Sequence, residues 1–343
     1  ARTFVHNDFK YDAGPTVITA PYLIDELFSA HGEKLSDYVN LLPVKPWYRF
    51  LFDSGDYIDY GDKLISTVHE IKAKYGNDKA KAYLKLLKHS KQIFKKGFIE
   101  LSDEPFESIF SMLKHLPALI KIRFDRSVYQ TVNKYLNNKN LNEALSMHPL
   151  LVGGNPYSTT SIYLLIQYLE WKWGVYYAEG GTGRIIDGLE KLLIKKDVNI
   201  KKNTEAKKII LKNNKVVGID TSQGIIDCDI VVCNSDPTYT YNNLLGFKPK
   251  KASNRFNLKH SMSLFVLYFS TTKIYKDVKH HTIIFSKRHY ELLNDIFNKK
   301  VFVSDPSLYL HRPGATDPSM IQNGNDTFYV LAPVPNNLSK IDW

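Results

Sequence analysis

Three glycines stand directly before a predicted helix: Gly180, Gly181 and Gly183, in the segment EGGTGRI. Without a Cβ to obstruct them, the backbone N–H groups of such a turn converge at the helix N-terminus, where a phosphate or an electron-rich ring edge can bind. Glycine-rich turns before helices are also common as purely structural features. Both interpretations stay open, here and at the shorter motif DAGPT, Asp12 to Thr16.

Aromatic side chains lead straight into this turn. Such rings are more often part of a core than of a ligand site, but a flat apolar substrate would have to pass them to reach a group bound at the glycines. We therefore interpret the segment from Gly153 to Ile185 as a candidate channel wall. Its lining is predicted to include Tyr157, Trp171, Trp173, Tyr176 and Tyr177.

Motifs of hydrolytic and metal chemistry are absent from the sequence. It contains no H-E-x-x-H, no G-x-S-x-G and no Cys/His quartet, and a full G-x-G-x-x-G is missing as well. His280, His281 and His311 are isolated in the sequence and are interpreted as structural or solvated. We predict no metal site and name no catalytic acid or base.

The composition is that of a folded globular protein. The 343 residues are 43% hydrophobic and 24% charged, enough for two interlocked domains. A formal net charge of +11 indicates an anionic partner, unless it reflects only a bias towards lysine in the coding sequence. No nucleic-acid-binding signature accompanies the charge, so nucleic acid is not the predicted partner.

Part of the positive charge is concentrated in one segment. Lys79 to Lys96 contains seven lysines and no acidic residue, with apolar residues between them, which predicts a basic amphipathic helix suited to an anionic bilayer. A second amphipathic helix is predicted around Pro117, although both helices could simply cover a core. Its apolar face would comprise Phe106, Ile109, Phe110, Leu113, Leu116 and Ile120.

The two cysteines and the distribution of apolar residues indicate where in the cell the protein is located. Cys228 and Cys233 would lie roughly 16 Å apart along a strand, too far for a disulfide, so both are predicted to be reduced core residues. The sequence has no run of 18 apolar residues. These features predict a cytoplasmic protein whose membrane contact is peripheral.

The elements that would position these residues follow a recognisable order. An antiparallel pair opens the chain, a largely helical region runs from Tyr22 to about Leu151, and a hairpin is predicted near Asp53–Tyr60. After the glycine turn come a helix with Ile185, Ile186, Leu189, Leu192 and Leu193 on its buried face, a β-meander with turns at Asn213–Asn214 and Ser222–Gly224, and an apolar strand ending in Asn-Ser-Asp-Pro. That order is the second half of a dinucleotide-binding layout. Short β runs, such as SLFVLYFS and TFYVLAPV, alternate with polar loops in the rest of the chain.

Long motifs throughout the chain resemble the bacterial and fungal type of phytoene desaturase, in the FAD-dependent amine oxidase-like superfamily. They are FKYDAGPTVITAPYLIDELFSAHG, LLVGGNPYSTTSIYLLIQYLEWKWGVYYAEGGTGRIIDGLEKL, VVCNSDPTYTYNNLL and DPSLYLHRPGATDPSM, followed by DTFYVLAPVPNN. The resemblance implies a flavoprotein that holds FAD noncovalently and desaturates phytoene at a membrane surface by hydride transfer to the flavin. Quinone or oxygen would reoxidise the flavin.

The family's cofactor residues transfer onto matching positions. The resemblance implies that the flavin and its phosphates lie near Asp12–Thr16, that the ring faces the glycine turn, and that Ala206 meets the adenine through its backbone where the family usually has Val. The implied cofactor-binding residues are Asp12, Gly14, Pro15, Thr16, Gly180, Gly181, Thr182, Ala206, Asn234, Ser235 and Asp236.

The chain departs from the family pattern in two respects. The glycine-rich FAD segments that family members carry upstream and downstream are missing, so we expect an internal fragment, and an Arg-Asp pair proposed for acid/base work in some members is replaced here by Phe110–Ser111. The predicted fold is α/β, Rossmann-like and incomplete at the N-terminus. FAD-binding parts are expected at 1–20 and 178–245, a helical insert that faces membrane and substrate at 21–177, and a β-rich substrate domain at 246–343.

Two alternative functions remain open. A related enzyme would act on a C30 precursor or a later carotenoid, or would isomerise. A non-catalytic fragment would only bind an apolar ligand.

Overall fold

The computed structural model describes residues 1–100, 117, 120, 122–246 and 260–343. These residues form two compact units, one of Ala1–Leu192 with Ser261–Trp343 and one of Leu193–His260. The domain boundaries expected from the sequence stay a prediction.

The main sheet of the first unit is mixed. Its six strands are ordered β10-β13-β12-β11-β4-β5, and every neighbouring pair is antiparallel except β11 with β4. The strands of the described chain are β1 Arg2–His6, β2 Phe9–Ala13, β3 Leu41–Pro43, β4 Tyr48–Leu51, β5 Tyr57–Tyr60, β6 Tyr176–Ala178, β7 Ala206–Lys212, β8 Lys215–Thr221, β9 Gly224–Asp227, β10 Ser263–Ser270, β11 His281–Ile284, β12 Leu308–His311 and β13 Thr327–Val334. A mixed sheet with helices around it is the α/β fold class expected from the sequence.

Helices make up much of the rest of the described chain. Their bounds are α1 Pro21–Ser29, α2 Leu64–Tyr75, α3 Asn77–Phe94, α4 Val128–Leu136, α5 Lys139–Leu145, α6 Leu165–Trp173, α7 Gly183–Lys195, α8 Pro237–Tyr239 and α9 His289–Asn294. A capping box formed by Ser127 and Gln130 begins α4, which satisfies two of the backbone donors that a helix start leaves free.

The opening hairpin is confirmed. Strand β1 pairs with β2 through a turn whose two central residues, Asn7 and Asp8, both have positive φ. Asn and Asp tolerate this left-handed conformation better than other non-glycine residues, and such turns match the twist of a hairpin. The pairing places Asp12 opposite Thr3.

An aromatic core joins the helices to the sheet. Tyr48, Phe50 and Tyr60 of the β4–β5 hairpin are at most 1% exposed, and buried residues of α3 and α4 belong to the same cluster. Fully burying a large apolar side chain contributes about 1.5–3 kcal/mol, so this cluster provides a rigid base for the neighbouring polar groups.

The meander β7-β8-β9 of the second unit confirms the predicted turns, with Asn213 and Asn214 at positive φ. The predicted apolar strand after it is wrong: Ile230 and Val232 are 80% and 94% exposed, and no strand covers Cys228–Ser235. A strand apolar on both faces is stable only between neighbours, and none of the described strands pairs with this segment.

The prediction that both cysteines are buried in the core is also wrong. Cys228 is half-buried and Cys233 is exposed, and both are free thiols. Because the strand that would have buried them does not form, their side chains remain near the surface.

The helical spacing of apolar residues predicted more buried residues in two helices than the structure shows. In α1 only Phe28 is buried, whereas Leu23 and Leu27 are 44% and 51% exposed. In α7 the buried residues are Gly188 and Leu192; Ile185 and Leu189 are partly buried, and Ile186 and Leu193 are exposed. Helix α7 packs closely against Val39 at Gly188, where an added Cβ would lie 2.8 Å from the Val39 side chain. This close contact explains why the buried face of α7 is narrow.

The basic helix is confirmed as α3. It buries Tyr83, Leu86, Leu87, Ile93 and Phe94, and leaves Leu84 on the outer face with a row of lysines. The second amphipathic helix, expected from Phe106 to Ile120, lies largely outside the described residues. Among the residues described, no helix combines the length and the apolar character needed to cross a bilayer.

Candidate functional site

Asp12 connects the opening hairpin to the glycine turn. Its side chain is 1% exposed, and its Oδ1 accepts hydrogen bonds from Thr182 N at 2.8 Å and from Thr3 Oγ1 at 3.1 Å. Its Oδ2 accepts one from the Tyr177 hydroxyl at 2.5 Å. One carboxylate therefore fixes three segments that are distant in sequence.

These hydrogen-bond donors keep the Asp12 carboxyl group negatively charged. Burial by itself would raise the pKa of the carboxyl group, but hydrogen bonds from His311, Tyr177 and the Thr182 backbone together hold the pKa of Asp12 below its usual value. The same buried contact raises the pKa of Tyr177 far above its ordinary range, through burial first and then the Asp12 charge. Asp12 is consequently an anion and Tyr177 a neutral donor near neutral pH.

Two glycines of the turn are required by close contacts. A Cβ at Gly181 would lie 2.2 Å from Thr3 Oγ1 and 2.7 Å from Asp12 Oδ1, at a backbone φ of +106°. A Cβ at Gly183 would lie 2.7 Å from Thr3 N. Only glycine fits where the hairpin presses against the turn.

The backbone donors of the turn are already satisfied within the protein. Gly180 N donates to Asp317 Oδ2 at 2.7 Å, Thr182 N to Asp12, and Gly183 N to Thr3 Oγ1 at 3.1 Å. Of the two interpretations that the sequence left open, these bonds favour the structural one for the three N–H groups, and the assignment of the turn to a cofactor stays a prediction. Asp317, 137 residues away, was not identified from the sequence because its motif carries no local sign of this contact.

A cavity of about 310 Å³ opens beside the turn. Gly180 and Gly183 line it together with Arg2, Lys10 and Arg184, and Asp187 supplies a carboxylate. At Gly180, an added Cβ would lie 3.0 Å from Nε of Arg184, a flexible side chain that can move away. Three cationic side chains around an open backbone form a suitable site for phosphate groups.

The remaining residues of the DAGPT motif divide between surface and core. Gly14, at a φ of +112°, and Pro15 are exposed, whereas Thr16 is 3% exposed. Thr16 Oγ1 lies 2.7 Å from the Tyr329 hydroxyl and 3.2 Å from that of Tyr309. Burial raises the pKa of Tyr309 to about 12, so this hydroxyl remains neutral.

Three histidines that are isolated in the sequence converge behind Asp12. His280, His281 and His311 are at most 2% exposed, and one ring nitrogen of each lies within 4.8 Å of the others. Of the two predicted alternatives, structural or solvated, the burial excludes the solvated one, and the fold brings together residues that are isolated in the sequence. Burial lowers the pKa of all three, so they are neutral.

A second buried polar group surrounds Glu170. Its carboxylate, 0% exposed, accepts a hydrogen bond from the Tyr48 hydroxyl at 2.8 Å and lies 3.0 Å from His148 Nε2. The Tyr48 ring centroid also lies 5.8 Å from that of His281. Nothing in the local sequence marks Glu170, which occupies a helix position like any other.

The predicted channel residues occupy different surroundings. Trp171 packs on Trp47 and donates a hydrogen bond from Nε1 to the Tyr83 hydroxyl at 2.8 Å. Trp173 packs on Tyr22 with ring centroids 4.6 Å apart. Tyr157 contacts Tyr129 and Tyr290 instead, with centroid distances of 4.3 Å and 4.7 Å, and Tyr176 and Tyr177 pair with strand β3. The structure does not bring Tyr157 into ring contact with the tryptophans, and the channel stays a prediction.

The remaining predicted cofactor residues belong to the second unit. Ala206 begins β7 and is exposed, and Asn234, Ser235 and Asp236 are exposed residues before α8. Asp236 caps that short helix by accepting a hydrogen bond from Tyr239 N at 3.1 Å. Their assignment to a cofactor stays a prediction.

The site residues of the first unit fit a phosphate-bearing flavin. The cavity beside Gly180 and Gly183 combines cationic side chains with backbone that no Cβ obstructs. The turn behind it is held rigid by Asp12 and Asp317. The three cationic side chains supply the donors that the phosphates of a flavin nucleotide require, and the glycines let the nucleotide approach the backbone closely.

Comparisons with known proteins agree with this arrangement. Residues 1–297 match the family model described as flavin containing amine oxidoreductase. The lycopene-forming phytoene desaturase of Pseudescherichia vulneris is 40% identical over 100% of this chain and 71% of its own length, and that of Pantoea ananas is 39% identical over the same shares.

The fold agrees as well. The crystal structure of an oxidoreductase from Methanosarcina mazei superposes with a TM-score of 0.64, covering 98% of this chain and 71% of that one, at 13% identity. The chain belongs to the flavin-containing amine oxidoreductase family and resembles the bacterial phytoene desaturases within it along its whole length.

Proposed function

We propose that this chain is an FAD-dependent phytoene desaturase, which introduces double bonds into phytoene on the way to lycopene as a step of carotenoid biosynthesis. One observation carries the proposal: the 40% identity to a lycopene-forming phytoene desaturase extends over the whole chain, including the glycine turn. The enzyme is an oxidoreductase that acts on CH–CH bonds.

The cofactor contacts of the proposal begin at the basic cavity. Gly180 and Gly183 would lie against the flavin, and Arg2, Lys10 and Arg184 would hold its phosphates. Assignment of the cofactor as FAD, with Ala206 at the adenine and Asn234–Asp236 beside it, is part of the proposal. So is reoxidation of the flavin by quinone or oxygen.

When bound, the flavin supplies the redox chemistry by accepting the hydride removed from the substrate. The protein positions the cofactor and excludes water from the site. Asp12 and Asp317 fix the turn, so that the backbone facing the cofactor does not need to reorganise. Tyr177, Tyr329 and the histidines behind them are buried, which excludes water from the base of the site.

The proposed substrate path would use the aromatic residues around the turn. A C40 polyene is almost wholly apolar, so burial of its surface against aromatic side chains provides most of its binding free energy. Trp171, Trp173, Tyr176 and Tyr177 precede the turn directly, and Tyr157 belongs to a neighbouring aromatic group. No residue is assigned as the acceptor of the proton.

A peripheral membrane position completes the proposal. The exposed lysines Lys81, Lys85, Lys88 and Lys91 form a row on α3, and the nearby apolar side chain of Leu84 is 42% exposed. A basic face with an exposed apolar residue suits the surface of an anionic bilayer, where phytoene is dissolved. The protein would act on the cytoplasmic side of that membrane.

Sedimentation with liposomes tests this position. Vesicles that contain anionic phospholipid should retain the protein at low salt, and replacing the four α3 lysines by Gln should release it. The control replaces Lys207, Lys208, Lys212 and Lys215 of the meander by Gln, which removes the same charge from exposed positions elsewhere. Equal loss of binding in both variants would contradict a specific role for α3.

Product analysis tests the activity itself. The full chain is expressed in cells that accumulate phytoene, and carotenoids are extracted and separated. Coloured lycopene supports the proposal, whereas unchanged phytoene together with desaturation of a C30 or later carotenoid supports the alternative enzyme. If flavin absorbance and all products are absent from a folded protein, it is a binding module and the proposal fails.

A further inference from the structure

The imidazoles of His280, His281 and His311 meet in the core without bonding to one another. Each is at most 2% exposed, and the ring centroids lie 4.4 Å apart for His280 and His281, 4.8 Å for His280 and His311, and 5.5 Å for His281 and His311. Strands β11 and β12 supply two of the three residues at directly paired positions, His281 opposite His311. The geometry is thus fixed by a sheet register and not by a loop.

One ring nitrogen of each histidine has a partner. His280 Nδ1 lies 2.6 Å from Thr316 Oγ1, His281 Nδ1 lies 2.6 Å from the Tyr309 hydroxyl, and His311 Nε2 lies 3.4 Å from Asp12 Oδ2. Hydroxyl and carboxylate groups are the usual outer partners of histidines that bind a metal, because they fix the ring orientation and its tautomer.

The other ring nitrogen of each histidine has no partner. His280 Nε2, His281 Nε2 and His311 Nδ1 are buried and lack a hydrogen-bond partner among the described residues. Leaving a buried polar atom unpaired costs about 1–3 kcal/mol, so three in one cluster indicate a common ligand.

Proton placement identifies the class of that ligand. Asp12 is an acceptor, so His311 Nε2 must carry the ring proton, and Nδ1 of the neutral ring then presents a lone pair to the cluster. If His280 and His281 donate to their hydroxyl partners in the same way, each ring keeps one lone pair without a partner, in a cluster where one nitrogen of each ring lies within 4.8 Å of the others. A cation satisfies all three lone pairs at once.

We propose that His280, His281 and His311 form a binding site for a divalent late transition-metal ion of the zinc class. Neutral imidazole nitrogens suit such ions. A tetrahedral zinc site with bonds of about 2.1 Å spaces its nitrogens about 3.4 Å apart, so the cluster needs to contract by about 1.4 Å at most between any two atoms. Asp12, joined to His311, partly offsets the charge of the ion.

Cobalt(II) is the probe, because its visible spectrum reports coordination number. The full chain is purified, treated with a chelator, returned to chelator-free buffer and titrated with Co²⁺. We expect one equivalent to bind with intense tetrahedral d–d absorption, and Zn²⁺ to displace it. Zn²⁺ should also raise the midpoint of thermal unfolding, because a ligand that binds only the native state stabilises it.

The variants are His281→Ala and a matched control, His289→Ala. His289 is equally buried, at 2% exposure, but its Nδ1 bonds Ser307 Oγ at 3.0 Å and it lies outside the cluster. His281→Ala should weaken Co²⁺ binding by at least 100-fold and abolish the zinc-dependent shift in thermal unfolding, whereas His289→Ala should retain both. Equal weakening in the two variants would overturn the proposal.

If the variants fail to fold, a measurement on the unaltered protein still tests the metal site. X-ray absorption fine structure of the zinc-loaded chain should show three imidazole ligands and one further nitrogen or oxygen donor in the first shell. A folded, chelator-treated chain that binds neither Co²⁺ nor Zn²⁺, or one that binds zinc through fewer than three imidazoles, would overturn the site. Bound water would then satisfy the three nitrogens.

Discussion

The Tyr177 hydroxyl donates a 2.5 Å hydrogen bond to Asp12 Oδ2, joining residues 165 positions apart in sequence. The same carboxylate accepts the backbone N–H of Thr182. The glycine turn is therefore held by a charged group in the protein core in addition to its own backbone hydrogen bonds.

Replacing Asp12 by Asn should destabilise the chain by about 2–4 kcal/mol, because the amide places a donor where Tyr177 or His311 already donates and removes a buried charge-assisted bond. Urea unfolding followed by tryptophan fluorescence measures the change. The exposed Asp342 provides the control, and Asp342→Asn should stay within about 0.5 kcal/mol of the unaltered chain. An equal effect of both changes would contradict the role of Asp12.

Replacing Gly181 by Ala should destabilise the chain more than the same change at a glycine that has a similar positive φ but no close neighbour. The new Cβ would lie 2.2 Å from Thr3 Oγ1 and force the hairpin away from the turn. The control is Gly76→Ala, where φ is +91° but nothing lies within 4 Å. We expect Gly181→Ala to cost about 2–4 kcal/mol more than the control, and to lower flavin affinity in parallel. Fluorescence quenching of added flavin measures the affinity.

Burial raises the pKa of Glu143 in helix α5 to about 7. Unfolding returns the carboxyl group to an ordinary value near 4.3, so between these values the native state binds more protons than the unfolded state. The contribution of Glu143 to stability is therefore greatest at low pH and falls as pH rises, by at most about 4 kcal/mol once the pH is above 7.

Glu143→Gln removes this dependence. Relative to the unaltered chain, the free energy of unfolding of the variant should rise steadily from about pH 4.5 to pH 7 and then level off. The exposed Glu26 is the control, and Glu26→Gln should show no comparable rise. Urea unfolding at pH 5, 6, 7 and 8 measures both, and a difference that shrinks with pH would contradict the assignment.

Local patterns were enough to predict many elements of the fold. The hairpin through Asn7 and Asp8, the meander turn at Asn213–Asn214 and the strands β10 and β13 all follow from turn chemistry and alternating β-rich runs. Each depends on residues close in sequence. The predicted strand at Cys228–Ser235 failed because its stability depends on partners that the local pattern does not include.

The site could be predicted only in part. The glycine turn has a local signature, but its two anchors are distant in sequence: Asp12 is 170 residues from Thr182, and Asp317 is 137 residues from Gly180. His281 and His311 meet because two strands pair in one register. A single sequence contains no direct sign of such pairings, which is why the histidines looked isolated.

Tyr48→Phe tests the buried group around Glu170. Loss of the hydroxyl removes its 2.8 Å bond to Glu170 Oε1 and leaves that oxygen without its donor in a side chain that is 0% exposed. We expect a loss of about 1–3 kcal/mol in the free energy of unfolding, because water cannot readily replace the donor. Tyr57→Phe, at a position 41% exposed, should change it by less than about 0.5 kcal/mol.

A double-mutant cycle with Glu170→Gln separates the pairwise interaction from other effects of losing the hydroxyl. If Tyr48 acts through Glu170, the two changes together should destabilise the chain by less than the sum of the separate effects, with a coupling energy of about 0.5–3 kcal/mol. Additive effects would mean that the Tyr48 hydroxyl contributes through some other contact, and the carboxylate would then depend on His148, at 3.0 Å, as its main partner.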